Sequence, residues 1–166
     1  LGWKIIVLYD CVMLQLIVYE SKYEEQLSRL IIELQEYELR YNLDRESGLV
    51  MVAKYREELL FETTSRSGQI ILAEDNGQIA GFIAYYLEKD TINKLPHLYI
   101  PDLVVSERHR KKGIAKKLME YVENVATKQN IGSIRVGALA NSPSVDFYKK
   151  LGYSVEALQF LKKVEN

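Results

Sequence analysis

Cysteine is almost missing from this chain. Cys11 stands alone, so no internal disulfide can form, and a reducing compartment, the cytoplasm, is the expected setting. It lies in an apolar run, where a free cysteine behaves as a small hydrophobe rather than a nucleophile. Histidine is nearly as scarce. With only His97 and His109, and no Cys-x-x-Cys pair, a zinc site has no ligand set, and no metal is implied. Long apolar runs are missing too. Lys4 to Tyr19 comes nearest, but Asp10 and Gln15 interrupt it, which makes it too short and too polar for a membrane span. It also lacks the uninterrupted core and small-residue cleavage site of a signal peptide. No repeat, linker or low-complexity tract divides the 166 residues, so 1–166 reads as one domain. Residues 1–12, ahead of Met13, read as an N-terminal extension that adds a strand or hairpin.

What is present is an ordinary globular composition, 48% hydrophobic and 27% charged, with a net charge of −1. The charge is uneven. Residues 1–99 carry 10 Lys and Arg against 16 Asp and Glu, whereas residues 100–166 carry 12 against 7. A polyanion suits the basic half and a cationic partner the acidic one; solvated helix faces would give the same count. The basic residues lack aromatic interleaving and no RNA-binding motif is present, so no nucleic-acid partner is expected.

The basic half centres on Leu98–Leu118, LYIPDLVVSERHRKKGIAKKL. Leu98 to Val105 is rich in aliphatic and β-branched residues and reads as a buried strand. Ser106, Glu107 and Arg108 break it. Ile114, Leu118, Val122 and Val125 then recur at helical spacing. A short basic turn, Arg108 to Lys112, joins strand to helix and leads into Gly113, Ile114 and Ala115. The small residues there let N–H groups of the first helical turn approach a ligand, and with the helix dipole they favour a phosphate. The turn is neither a P-loop nor a dinucleotide fingerprint, since the glycines of both are missing.

Elsewhere, Leu14 to Tyr19 reads as the first strand of the sheet. Ser21 and Glu24 form a capping box before a long helix marked by Tyr23, Leu27, Leu30, Ile31, Leu34, Tyr37 and Tyr41. The polar break Asp44–Gly48 separates it from a second helix, Leu49 to Glu62, which Arg66-Ser67-Gly68 closes. Gln69–Glu74 and Gln78–Leu87 make a hairpin around Asn76-Gly77, and Glu88–Pro96 is a polar loop. After the central helix, Asn130-Ile131-Gly132 is a stop and Ser133–Leu139 a strand. Ser142 is expected to N-cap a short helix that has Pro143 at its first position and Gly152 past its end. Tyr153–Lys163 closes the chain as a strand or hairpin arm.

Arg110-Lys111-Lys112-Gly113-Ile114-Ala115 fits the pattern R/Q-x-x-G-x-G/A, and LVVSERHRKKGIA resembles the acyl-CoA signature of the GNAT superfamily of N-acetyltransferases. A second block, ALANSPSVDFYKKLGY (Ala138 to Tyr153), resembles that family's N-x5-F-Y-x3-G-F/Y segment. The order β-α-α-β-β-β-α-β-α-β is also the family's. The resemblance implies an α/β (α+β mixed) fold, with a central mixed, mostly antiparallel sheet and helices on both faces. It further implies a splayed strand pair with a β-bulge where acyl-CoA lies. Carried over by position, Leu103, Val104 and Val105 meet the ligand at the strand end, Leu103 and Val105 through main-chain groups. Arg110, Lys111, Lys112, Gly113, Ile114, Ala115 and Lys116 surround the pyrophosphate.

The implied reaction is direct attack of a neutral amine on acetyl-CoA in a ternary complex. The Leu103 N–H would stabilise the oxyanion, and Tyr148 would protonate the departing thiolate. Asn141 matches a position that touches the pantetheine arm, or it is a helix cap. Asp102 is the best-placed general base, although Pro101 stands where some relatives carry Glu. It could instead orient the amine or cap a turn, leaving Tyr99, Glu62 or a water chain as base. Glu33, Glu36, Glu38, Glu57, Glu58, Glu62, Glu88 and Asp90 fall on segments that form the acceptor pocket in the family. They favour a small polyamine-like or aminoglycoside-like cation. A protein N-terminus or lysine is the runner-up, and a non-catalytic acyl-CoA-binding regulatory module a third reading. A homodimer is compatible with all three.

Overall fold

A computed structural model of the chain describes residues 5–6, 14–41, 48–89 and 95–162. Cys11 and Asp90, and most of the proposed extension, lie outside them, as do parts of the loops at 42–47 and 90–94.

The core of the molecule is a sheet whose strands lie in chain order: β1 (Ile5–Ile6), β2 (Leu14–Val18), β3 (Gln69–Asp75), β4 (Gln78–Glu88), β5 (His97–Val105) and β6 (Ser133–Val136). Pairing is antiparallel from β1 to β5 and parallel between β5 and β6. The two-residue β1 falls within residues 1–12 and pairs antiparallel with β2. Helices α1 (Glu24–Leu39) and α2 (Leu49–Ser65) cover one face, α3 (Ile114–Lys128) covers the other, and α4 (Ser144–Lys150) follows β6. This is the mixed sheet with helices on both faces that the resemblance implied.

Each face has its own core. Leu27, Leu30 and Ile31 of α1, with Val52 and Leu59 of α2, pack on Ile70, Leu72, Phe82, Ala84 and Val104. Opposite them, Ile114, Leu118, Met119, Val122 and Ala126 of α3 pack on Ile71, Ile83, Leu98 and Ile100. The α3 residues are those whose spacing puts them on one stripe, and each large one contributes roughly 1.5–3 kcal/mol by burial. The hairpin turn is as expected, with Asn76 and Gly77 both at positive φ, 52° and 80°.

Four local expectations are corrected. Ser21 and Glu24 do not form a capping box. Instead Ser21–Tyr23 is a 3-10 turn closed by Tyr23 N–H donating to Glu20 O (2.9 Å), so α1 enters through a tight turn and needs no side-chain cap. Ser142 likewise does not cap α4. Pro143, already helical at φ −60°, holds the N-cap position, and the Ser142 hydroxyl meets that of Ser144. The strand expected to reach Leu139 stops at Val136, because its partner β5 changes course there, as shown below. Finally, 153–162 contains no strand. Its Val155, Leu158, Phe160 and Leu161 are all exposed, and Glu156 ties it to β6 through Arg135 (2.8 Å). Apolar content alone does not make a strand; a ladder partner is needed, and β6 is only four residues long.

Candidate active site

Between Tyr86↔Tyr99 and Ala84↔Asp102, the register of β5 against β4 slips by one residue. Ile100 and Pro101 therefore face the single residue Tyr85, which is a β-bulge. Pro101 has no N–H to give to any neighbouring strand. The pairing of β5 with β6 ends here, at Ile100↔Val136. Beyond it the two strands part, and the gap is a cleft of about 500 Å³.

The bulge also sorts the strand's polar groups. Ser106 N–H donates to Ala80 O (2.8 Å), so the backbone at Ser106 faces β4. Alternation along a strand then turns Val104 and Asp102 towards β4, and Leu103 and Val105 towards the side β6 has left. The Val105 carbonyl accepts Arg110 Nε on that side at 3.2 Å. Leu103, Val104 and Val105 all line the cleft, and Leu103 and Val105 turn main-chain polar groups to that side.

At the mouth of the cleft, the chain turns through Arg110–Ala115 into α3. Lys111 (φ 62°) and Gly113 (φ 79°) are both left-handed, and no side chain caps the helix. The first N–H groups of α3 thus have no intrahelical acceptor and carry the positive end of the dipole. Arg110, Lys111 and Ala115 line the cleft. The Ile114 side chain is buried in the α3 core and Lys112 extends to Asp75 (3.4 Å). Lys116 leans towards Glu120 (3.9 Å). For these residues and for Gly113 the backbone is what faces the turn.

Neighbouring elements hold this turn. Glu33 of α1 accepts Ser106 Oγ and Glu107 N–H, each at 3.0 Å. Tyr37 of α1 lies under the Arg110 guanidinium, 5.2 Å from its ring centroid. The helix assigned in sequence to the acceptor pocket is thus also a wall of the cleft, where Leu34, Tyr37 and Glu38 stand. Asp75, from the β3–β4 hairpin, has Lys112 at 3.4 Å and His109 at 3.9 Å.

The opposite wall is α4. Tyr148 lines the cleft, packed edge-on against Phe147 (5.3 Å) and Tyr153 (6.0 Å). Burial pushes its hydroxyl pKa well above the usual tyrosine value, and the nearby Asp102 charge pushes it further. Asn141 is exposed and outside the lining, where Ser142, Pro143 and Ser144 stand instead. Asp102 lines the cleft floor, 7% exposed, and accepts a hydrogen bond from the Tyr55 hydroxyl of α2 at 2.7 Å. Nothing in the sequence singles out Tyr55, one of 12 tyrosines.

Among the described residues, the acidic positions do not converge as a group. Glu33 serves the turn, and Glu62 and Glu88 both hold Arg66, at 2.8 and 3.6 Å. Glu36, Glu57 and Glu58 are exposed. Among the described residues, Glu38 and Asp102 are the carboxylates that line the cleft. Among the described residues no cluster of His, Cys, Asp and Glu could hold a metal, and no helix is long and apolar enough to cross a membrane.

The chain matches the acetyltransferase (GNAT) family over residues 23–153. It is 34% identical over 80 residues to YhdJ, an uncharacterized N-acetyltransferase of Bacillus subtilis, a stretch that is 47% of this chain and 56% of YhdJ. It is 35% identical over 60 residues to the catalytic subunit naa20 of the N-terminal acetyltransferase B complex of Schizosaccharomyces pombe, covering 36% of this chain and 33% of that one. Among solved structures, glucosamine-6-phosphate N-acetyltransferase from Arabidopsis thaliana superposes with a TM-score of 0.68 at 19% identity, over 92% of this chain and 99% of that one. A Trypanosoma brucei acetyltransferase gives 0.66 at 19%, over 91% and 99%. At such identities the structural likeness is one of fold.

Proposed function

Because this chain belongs to the GNAT acetyltransferase family, we propose that it transfers an acetyl group from acetyl-CoA to a primary amine by direct attack in a ternary complex. One observation carries the reading. The bulge at Ile100–Pro101 aims the main-chain groups of Leu103 and Val105 into a cleft that ends at an uncapped helix start. Amide-bearing and phosphate-bearing parts of one ligand fit those two features.

When bound, acetyl-CoA supplies a thioester whose carbonyl carbon an amine can attack and whose thiolate can leave. The chain's own groups do the rest. The Leu103 N–H meets negative charge as it develops on the carbonyl oxygen, the kind of donor worth about 10²–10³ in rate. Tyr148 keeps its proton throughout the physiological range and gives it to the thiolate. With its pKa raised, that transfer is further uphill than the roughly 2 kcal/mol of an ordinary tyrosine, so the proton moves only as the thiolate departs. Asp102 draws in the ammonium; the amine attacks once it has given one proton to solvent, and Asp102 accepts the next as the C–N bond forms, when the nitrogen becomes acidic. The other candidate bases fit less well. Glu62 is paired with Arg66, and burial together with Glu88 and Asp102 disfavours the phenolate of Tyr99.

The acceptor in this reading is a small cationic amine, drawn to Asp102 and Glu38. The likeness to an N-terminal acetyltransferase subunit supports a second reading, a protein α-amine. Release of free thiol from acetyl-CoA, followed with a panel of polyamines, aminoglycosides, lysine and short peptides, tests both. Small cations should accelerate release most. Acceleration by peptides alone would transfer the assignment to a protein amine, and no acceleration by any amine would leave an acyl-CoA-binding module.

A further inference from the structure

Asp102 is a nearly buried carboxylate, and a charge in that position needs a partner. Had β5 kept its alternation, Asp102 would share a face with Leu98 and Ile100, against α3. The bulge reverses this. Leu98 and Ile100 sit in the α3 core, while Val104, two residues past Asp102, sits in the α1–α2 core. Asp102 therefore meets α2. On that helix Val52, Leu59 and Thr63 are buried at helical spacing, and Tyr55 falls on the same stripe. Its hydroxyl reaches across 47 residues of sequence to donate to Asp102 Oδ2 at 2.7 Å, a well-formed hydrogen bond.

We propose that Tyr55 is a positioning residue for acetyl transfer, one that holds the Asp102 carboxylate in place and in its charged form for the incoming amine. This rests on the reading of Asp102 as the group that receives the amine's proton. The surroundings agree. Besides Tyr55 on α2, the titratable groups near Asp102 include, among the described residues, Tyr148 on α4, Tyr99 on its own strand and Glu38 of α1 along the same cleft; β4 presents Ala84. The two tyrosines are kept neutral by burial and by the Asp102 charge, and Glu38 is an acid. None of the three brings positive charge, and the Tyr55 hydrogen bond favours the charged form of Asp102.

Two measurements on Tyr55→Phe and Asp102→Asn test this. The first is the titration midpoint of the Asp102 carboxyl followed by carbon-13 NMR, its signal assigned by its loss in Asp102→Asn. The second is steady-state turnover with the best amine of the panel. Tyr55→Phe should raise the midpoint by about one to two pH units, because the lost bond favoured the charged form. It should lower kcat about ten- to a hundredfold with the KM for acetyl-CoA unchanged, since Tyr55 is not part of the cleft lining. Partial unfolding of the variant would reduce the amount of active protein but would not move the midpoint of what remains folded. If the midpoint does not move, or moves while kcat stays at wild type, Tyr55 has no such role. The base assignment would then stand alone, provided Asp102→Asn is inactive. Full turnover by Asp102→Asn would overturn both.

Discussion

Tyr148 owes its chemistry to its surroundings. Taken alone it is a tyrosine with a pKa near 10; against Phe147 and Tyr153, beside Asp102, it holds its proton more tightly. Tyr148→Phe keeps the ring and removes the hydroxyl. If that hydroxyl protonates the thiolate, kcat should fall about 10²–10⁴-fold with little change in acetyl-CoA affinity. A tyrosine that only packs would show the reverse, a stability loss of about 1 kcal/mol with turnover intact. Melting temperature and turnover measured on one preparation separate the two. The motif F-Y-x3-G makes this residue visible in the sequence. No motif marks Tyr55 or Glu33, because each acts on a residue 47 or more positions away, and a bond of that span leaves no local pattern.

For the turn into α3, composition suggests the purpose and only the backbone reveals the constraint. Gly113 stands out in sequence as a residue without a Cβ to obstruct a phosphate. In the fold, a Cβ added there would meet nothing within 4 Å, but φ is +79°. The left-handed backbone is what demands glycine. Gly113→Val should therefore cost about 1–2 kcal/mol of stability and weaken acetyl-CoA binding by distorting the N–H groups of the first turn. Gly113→Asn, which tolerates the left-handed region, should recover most of both. Thermal melts and acetyl-CoA titrations of the two variants check this. Equal losses in both would mean that bulk near the phosphate path, rather than backbone geometry, is what matters.

Across the whole molecule, burial makes the fold sensitive to alkali. Tyr85, Tyr148 and Tyr153 all have hydroxyl pKa values pushed well above the usual one, chiefly by desolvation. In the unfolded chain they ionise near pH 10; in the fold they keep their protons to higher pH. Above that point the folded state binds more protons than the unfolded one, so stability falls as pH rises, whereas below it these groups leave stability unchanged. The urea midpoint should be level in this respect from pH 7 to about 9 and drop beyond about 10. Tyrosinate absorbance from the three should appear together with unfolding. Tyr85→Phe should make the alkaline fall shallower; an unchanged slope would show that Tyr85 ionises without cost in the fold.

Much of this architecture is written in local patterns. The α3 stripe, the Asn-Gly hairpin, the basic turn before a glycine and the F-Y-x3-G block each follow from neighbours a few residues apart, where sequence and geometry are tightly linked. The side of the sheet on which each β5 residue lies was decided elsewhere. Strict alternation places Ile100 and Asp102 together, and one extra residue in the strand, seen only in its register against β4, separates them. The same slip ends the ladder to β6, opens the cleft and delivers Asp102 to Tyr55. The acidic residues of the first two helices followed the same rule. Their charges were plain in the sequence, but whether each met Arg66, Ser106, solvent or the cleft depended on which way its helix faced once packed. Side-chain chemistry is a property of the chain, and its direction is a property of the packed fold, because a helix or strand can turn any residue inward or outward without altering its neighbours in sequence.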